Sequence, residues 1–394
     1  MIMNSINDEI LLPQGYKMTE LGPLPEEWEV VKLGEVCKVD WGNTSLTKKL
    51  YTANGYPAFS AAGNDGFLDF YEHDGEAVIL SAIGARSGKC FYASGKWTAI
   101  KNTIVIKSNN ETKINLLFLY FFVNNENYWH KSGSGQPFIS IGVAQKQKLP
   151  LPPLPEQQKM AAVLSAVQEA KEKTRAVIDA TKALKKSMMK HLFTYGPVSP
   201  EEAENVPLKE TEIGKVPEEW EVVKLGELAE VKYGKACPKE QGNVPVIGSG
   251  GIYFWTNNAI VEFPTIIIGR KGTAGKVWLS LQPCYPSDTT FYLKWLEDKI
   301  NIKFIFEYLN INQLSGEHAK TTLPSLQRHE LEKFLLPLPP LPVQQKIASI
   351  LSAIDEKIQA EEAKKKALED LFRSLLSHLM SGKIRVKDLG IGNC

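Results

Sequence analysis

A chain of 394 residues is long enough for two or three ordinary domains. Its 46 Lys and Arg nearly cancel its 45 Asp and Glu, leaving a net charge of +1, while 43% of its residues are hydrophobic. That balance excludes a disordered chain, and it excludes a protein that holds a polyanion by overall charge alone. The first residues, MIMNSINDEILLPQ, lack the charged-then-apolar layout of a secretion signal, and the strongly apolar run from Leu116 stops at Val123. A cytoplasmic protein with no membrane span is expected. Five cysteines, at 37, 90, 237, 284 and 394, form no C-x-x-C pair and fit neither a disulfide framework nor a zinc site.

In chain order, the first distinctive stretch is Pro25 to Glu35, PEEWEVVKLGE, which returns unchanged at Pro217 to Glu227. The similarity reaches back to Thr19 and Thr211, with 14 of 17 positions identical. Short β-branched and aromatic runs follow, at Ala77–Leu80 and Thr103–Ile106, and again at Thr265–Ile268 and Thr290–Leu293, separated by Gly, Asn and Ser turns. The Phe/Tyr/Leu stretch at 116–123 reads as a buried helix, echoed from Ile300. Then LPLPPLPEQQK, from Leu149, is matched by LPLPPLPVQQK from Leu336. Shared features in the same order mean a tandem duplication of a unit too large to be a solenoid repeat. Each copy is big enough to own a core.

After each proline run a helix can begin, because Pro is tolerated at a first helical position and excluded further in. Nearly forty residues without Pro or Gly predict a helix of about 58 Å. Its heptad pattern places Met160, Val167, Thr174, Thr181 and Met188 at one seam position and Val163, Ala170, Val177 and Leu184 at the other. In the second copy Ile347, Ile350, Ile354, Leu368, Leu371 and Leu375 mark the seam, with Lys357, Glu361 and Lys364 in a polar middle. The linker after the first helix is too short to retrace it comfortably, so the two helices are expected to run antiparallel. The expected fold is α+β: two tandem mixed α/β domains joined by two long antiparallel coiled-coil helices with a pseudo-twofold axis. Its boundaries are a segment 1–18, a first domain 19–154, a helix 155–193, a linker 194–210, a second domain 211–342, a helix 343–380 and a tail 381–394.

The Gly-Lys pairs at 88–89 and 275–276 lack the Gly and the Ser or Thr of a phosphate loop, since Ile83 and Cys90, or Arg270 and Val277, stand there. The six His are isolated, and His191 and His378 fall at equivalent helix ends. The positive signal is local charge. Residues 77–110 hold Arg86, Lys89, Lys96, Lys101 and Lys107 without an acid, and residues 263–287 hold Arg270, Lys271 and Lys276 without one. Each cluster sits on a Gly-rich turn, either as a solvated loop or as a contact for a polyanion. Lys131 and Gln136, and Lys320 and Thr321 in the second copy, lie in loops open to the same two readings. Trp28 and Trp220 read as structural anchors rather than base-stacking residues.

The duplicated P-x-E-W-x-x-x-x-L-G-E start, the two proline-glutamine junctions, the long helices and the tail Met380-Ser-Gly-Lys-Ile-Arg-Val-Lys387 resemble the specificity subunit of Type I restriction-modification enzymes. The resemblance covers essentially the whole chain; Val343 departs from it, standing where the first copy has Glu156. It implies a non-catalytic adaptor whose two target recognition domains each read one half of a bipartite, asymmetric site in double-stranded DNA. The spacer helices would dock two modification subunits that carry S-adenosylmethionine and methylate adenine. Two restriction subunits using ATP and Mg could join, and the chain itself would need no cofactor. A helix of this length is about one and a half turns of B-DNA. The DNA-contacting candidates are Arg86, Lys89, Lys96, Lys101, Lys131, Gln136, Arg270, Lys271, Lys276, Lys320 and Thr321. The competing expectation is a coiled-coil scaffold that does not bind DNA.

Overall fold

The computed structural model describes residues 12–133, 135–297, 299–312, 314 and 325–389. Two compact units divide the chain: Met1–Thr174 with Lys364–Cys394, and Arg175–Ala363. Each unit therefore owns one copy of the β-rich module, the starting half of that module's own long helix and the closing half of the other.

In the first copy a hairpin, β1 (Tyr16–Thr19) and β2 (Gly22–Pro25), precedes β3 (Glu29–Lys32), a single turn α1 (Leu33–Val36) and β4 (Cys37–Trp41). Strands β5 (Tyr56–Ser60), β6 (Gly63–Leu68), β7 (His73–Asp74), β8 (Ala77–Ser81), β9 (Cys90–Ala93), β10 (Lys96–Ala99) and β11 (Thr103–Ser108) follow. Helices α2 (Leu116–Val123) and α3 (Ile141–Lys146), strand β12 (Lys148–Leu151) and the long α4 (Leu154–Tyr195) complete it. The main sheet has the order β4-β11-β8-β9 and a second sheet the order β6-β5-β10-β7, while β12 pairs with β3. Every residue of β8 is buried, so this central strand reads as a continuous apolar run rather than an alternation. Helix α2 packs across the main sheet, its first turn capped by the Asn115 side chain, which accepts from Phe118 N at 2.8 Å.

After a short helix α5 (Pro200–Ala203), the second copy repeats the plan. It has β13 (Leu208–Thr211), β14 (Gly214–Pro217), β15 (Glu221–Lys224), α6 (Leu225–Leu228), β16 (Ala229–Tyr233), β17 (Val244–Gly248), β18 (Gly251–Thr256), β19 (Thr265–Gly269) and β20 (Val277–Ser280). Then come β21 (Tyr285–Pro286), β22 (Thr290–Trp295), α7 (Ile302–Ile311), α8 (Arg328–Glu332), β23 (Leu335–Leu338) and α9 (Leu341–Met380). Its main sheet, β16-β22-β19-β20, has the strand order of the first. The starts of the modules lie slightly earlier than expected, because β1 begins at Tyr16 and β13 at Leu208.

The long helices contain 42 and 40 residues, about 63 and about 60 Å at about 1.5 Å per residue. Within each unit their halves run antiparallel. In the second unit Lys182 pairs with Glu362 at 2.6 Å and Lys185 with Asp355 at 2.7 Å, so one helix rises as the other falls. In the first, Met160 and Leu164 share a core with Leu379 and Met380, and Lys171 lies 4.6 Å from the Phe372 ring.

The seam corrects the sequence expectation by one residue. Met160, Thr174, Ile347 and Glu361 are buried, and Val167, Ile354, Leu368 and Leu375 partly so, which keeps one seam position where it was placed. The other is Gln157, Leu164, Lys171, Ile178, Lys185 and Leu192 in α4, and Gln344, Leu351, Ile358, Lys365, Phe372 and Leu379 in α9. Val177, Leu184 and Leu371 are 41%, 54% and 46% exposed and leave the seam. Val163 and Ile350 are half-buried against the module cores instead. Counting apolar residues misses this register because Gln and Lys occupy the true positions, filling them with carbon stems and paired heads.

Equivalent positions carry different locks. In the first unit Phe121 meets Phe372 edge to face at 5.9 Å. In the second, Lys185 and the buried Glu307 hold those places, 2.9 Å apart, with Asp355 on the same partly buried ammonium. Burial alone would lower the Lys185 pKa, but its hydrogen bonds to Asp355 and Glu307 outweigh that and hold it above the ordinary lysine value. Glu156 shows the reverse pattern. It accepts from Trp28 Nε1 at 3.0 Å and from Arg385 Nε at 2.6 Å, and Arg385 also donates to Glu27 at 2.8 Å. Val343, the counterpart of Glu156, packs on the second core. Replacing Lys185 by Met leaves two acids beside an apolar neighbour and is expected to destabilise the protein by about 3–5 kcal/mol in chemical denaturation. Adding Glu307→Met should recover most of that loss; a single variant as stable as the parent would refute the lock.

Candidate nucleic-acid interface

Three loops of the first module meet at one end of its sheets. They are the β5–β6 turn at Ala61 and Ala62, the β8–β9 loop from Ala82 to Lys89, and the β10–β11 loop from Ile100 to Asn102. Main-chain hydrogen bonds hold them: Ala82 N donates to Asn102 O at 3.0 Å, Ser81 N to Lys89 O at 2.8 Å, and Gly88 N to Ser81 O at 2.9 Å. Gly88 has φ +93°, and a Cβ there would press on Lys131 and the Glu126 backbone, so the loop needs glycine. Arg86 reaches back over the first turn, 3.5 Å from Ala62 O.

The loops and the segment after β4 enclose an open cleft of about 760 Å³ lined by Lys48, Lys49, Arg86, Lys101 and Asn102. Arg86, Lys49, Lys101 and Asn102 are exposed there, whereas Lys48 pairs with Asp65, which also accepts from Tyr51 and Ser60. Lys48 and Lys49 lie outside the acid-free window, so the charge pattern along the chain does not single them out. The segment carrying Lys131 and Gln136 docks on the second loop, with Gly84 N donating to Pro137 O at 2.9 Å. The structure thus brings together Arg86, Lys89, Lys101, Lys131 and Gln136. It sets Lys96 apart: that residue starts β10, at the end of the strand away from the cleft, over the Tyr71 ring and opposite Asp74.

The second module builds the same three loops from Ser249 and Gly250, from Arg270 to Lys276, and from Ser287 to Thr289. Gly269 N donates to Lys276 O at 2.8 Å and Gly275 N to Gly269 O at 2.9 Å, the bonds of Ser81 and Gly88 in the first copy. By these bonds Lys89 corresponds to Lys276, and each ammonium lies over an aromatic ring, Phe91 at 5.8 Å and Trp278 at 4.3 Å. Arg86 corresponds to Thr273, and Arg270 to the buried Ala82. Arg270 is consequently a committed side chain: its Nη2 donates to Asp288 O at 2.7 Å and its guanidinium lies 5.3 Å from the Tyr233 ring. Lys271 and Lys276 are exposed. Lys320 and Thr321 lie outside the described residues.

Exposed cations on a fixed backbone cradle suit a polyanion, with side chains between them free to contact what it carries. Among the described residues, no His, Cys, Asp or Glu cluster could hold a metal ion, and no helix is long and apolar enough to cross a membrane. Cys37 is buried and free, and burial pushes its thiol pKa up to about 12.

A profile of the Type I restriction modification DNA specificity domain matches residues 25–180 and again 217–370. The Type I restriction enzyme MjaVIII specificity subunit of Methanocaldococcus jannaschii is 26% identical, over 93% of this chain and 95% of that protein. The EcoDI specificity subunit of Escherichia coli is 24% identical, over 83% and 81%. A crystal structure of a Type I restriction-modification S subunit from M. genitalium shares the fold, with a TM-score of 0.69 at 19% identity, covering 90% of this chain and 96% of that one.

Exchanging Arg86 and Lys101 together for Ala is expected to weaken binding to duplex DNA and to reduce the slope of log K against log salt by about 1.8, about 0.9 for each phosphate contact. Lys96→Ala should change neither quantity. An unchanged slope in the double variant would remove the cleft from consideration.

Proposed function

The chain belongs to the Type I restriction modification DNA specificity family, and from that membership we propose that it is the sequence-reading subunit of a Type I restriction-modification complex. Each module reads one half of a bipartite, asymmetric site in double-stranded DNA. The observation that carries this reading is the recurrence of the three-loop site. Both modules hold the loops with the same main-chain bonds on sheets of the same strand order, yet the loop tips carry Arg86, Lys101 and Asn102 in one and Thr273, Asp288 and Thr289 in the other. Cations near the tips take phosphates and fix the register, while the differing side chains meet base edges.

The chain is non-catalytic in this reading, and the chemistry belongs to its partners. Two modification subunits, carrying S-adenosylmethionine, dock on the long helices and methylate adenine at the site. Two restriction subunits that use ATP and Mg join them to cleave DNA that lacks the mark. Exposed Val177, Leu184 and Leu371 are apolar positions that the helix seam does not use and that a docked subunit could cover.

Exchanging residues 30–145 for the corresponding stretch of another specificity subunit, in cells that express the modification subunit, tests the proposal by mapping methylated adenines genome-wide. One half of the methylated sequence should change and the other remain. A change in both halves, or in neither, would refute the division of labour.

A further inference from the structure

Asn102 sits at the tip of the third loop of the first module, on the cleft wall beside Lys101 and in the same cleft as Arg86. Its φ of +70° makes it the single non-glycine residue in the left-handed region among the described residues. That conformation is held from all sides. Asn102 O accepts from Ala82 N at 3.0 Å, Thr103 Oγ1 donates to Ile100 O at 2.6 Å, and Thr103 O accepts from Gly42 N at 2.9 Å.

The Asn102 carbonyl and the neighbouring Thr103 are thus engaged, while the Asn102 side chain is exposed and has no hydrogen-bond partner among the described residues. Several other amides of the module are spent internally, whereas Gln136, on the segment docked beside the cleft, is exposed like Asn102 but lies at ordinary backbone geometry. Asn43 binds Glu72 and Ser45 N, Asn110 accepts from Thr112, Asn115 caps α2, Asn124 accepts from Cys90 N, and Asn125 accepts from Asn127 N. In the second module the counterpart Thr289 is spent too, its hydroxyl lying 2.7 Å from Ser287 Oγ and accepting from Ser249 N at 3.3 Å. Asn102 therefore carries an unengaged carboxamide on an anchored main chain, in one cleft with Lys101 and Arg86.

A carboxamide offers one acceptor and one donor side by side, and among base edges in the major groove that pair matches adenine, through N6–H and N7. We propose that Asn102 reads an adenine in the half-site of the first module, an inference that rests on the reading of the chain as a DNA-recognition subunit. The second module, with Thr289 committed and Asp288 exposed beside it, has no equivalent amide, so its half-site is read differently.

Asn is also favoured at positive φ as a plain turn residue, and the variants separate the two roles. Glycine adopts this φ freely, so Asn102→Gly keeps the loop and removes the amide. Asn102→Asp keeps the size and the turn preference but presents acceptors alone, which suit the N4 amino group of cytosine. Each variant is co-expressed with the modification subunit, its thermal midpoint is measured, and its methylated sequences are mapped. Asn102→Gly should melt no lower than the parent and lose preference for adenine at one position of one half-site, by about ten- to a hundredfold. Asn102→Asp should move that position toward cytosine, with the other half-site unchanged in both variants. Retention of the parental motif by Asn102→Gly overturns the inference alone. A parent complex that methylates no two-part sequence overturns the reading of the chain and the inference with it.

Discussion

At the start of each long helix one buried glutamine ties three elements together. Gln157 Oε1 accepts from Asn115 N at 2.8 Å, while its Nε2 donates to Lys113 O at 2.9 Å and Pro152 O at 2.8 Å. Gln344 repeats the arrangement, accepting from Asn301 N and donating to Pro339 O, both at 2.8 Å. Asn115 and Asn301 in turn cap the helices that cross the main sheets. Each glutamine therefore joins the proline run, the capped helix and the first turn of the spacer. Leaving one of these buried groups without a partner would cost about 1–3 kcal/mol. Because a side chain can meet all its partners in only one pose, the helix leaves its module in a fixed direction, and the cleft loops on the sheets inherit a fixed relation to it.

On that shared joint the two copies have diverged in how their helix ends are locked. The first unit uses an aromatic pair, Phe121 and Phe372, where the second uses Glu307 and Lys185, and it uses the Glu156–Arg385 pair where the second has Val343. The chemistries are mutually exclusive. If the end of α4 packed on the first module in place of the end of α9, the Lys185 ammonium would face Phe121 with no carboxylate to receive it. An unpaired buried charge is several kcal/mol unfavourable, so each module selects its own helix end although the frames are repeats. Duplication alone would have left that choice degenerate.

The duplication, the helix starts and the buried Trp28 and Trp220 were legible because each rests on a local identity: a repeated string, a proline run, an aromatic among acids. What was missed depends on the third dimension. Gln157, Lys171 and Lys185 hid the seam, since a satisfied polar residue looks exposed in a hydrophobicity count. Arg86 and Arg270 stand out alike as the arginines of two acid-free windows, whereas the hydrogen bonds from Ser81 and Gly269 pair them with Thr273 and Ala82. Lys96 shares an acid-free window with Lys101 but stands at the far end of its strand, and Lys49 enters the cleft from another segment altogether. Charge counted along a chain records neither fact. The positive φ of Asn102 has no sequence signature beyond the residue type.

The bonds that hold the cleft loops explain how such a frame can carry different readers. Ala82 N to Asn102 O, Ser81 N to Lys89 O and Gly84 N to Pro137 O are all main chain to main chain, as are Arg270 N to Thr289 O and Gly269 N to Lys276 O. A loop held in this way keeps its shape whatever side chains it presents, provided glycine remains where φ is positive, as at Gly84, Gly88, Gly272 and Gly275. Most side chains at the tips then carry little structural duty. Arg86 and Lys101 can stand at one site while Thr273 and Asp288 stand at the other, with no change in strand order or loop anchoring. Recognition can change one residue at a time without loss of the fold, because the backbone carries the stability and the tips carry the readout.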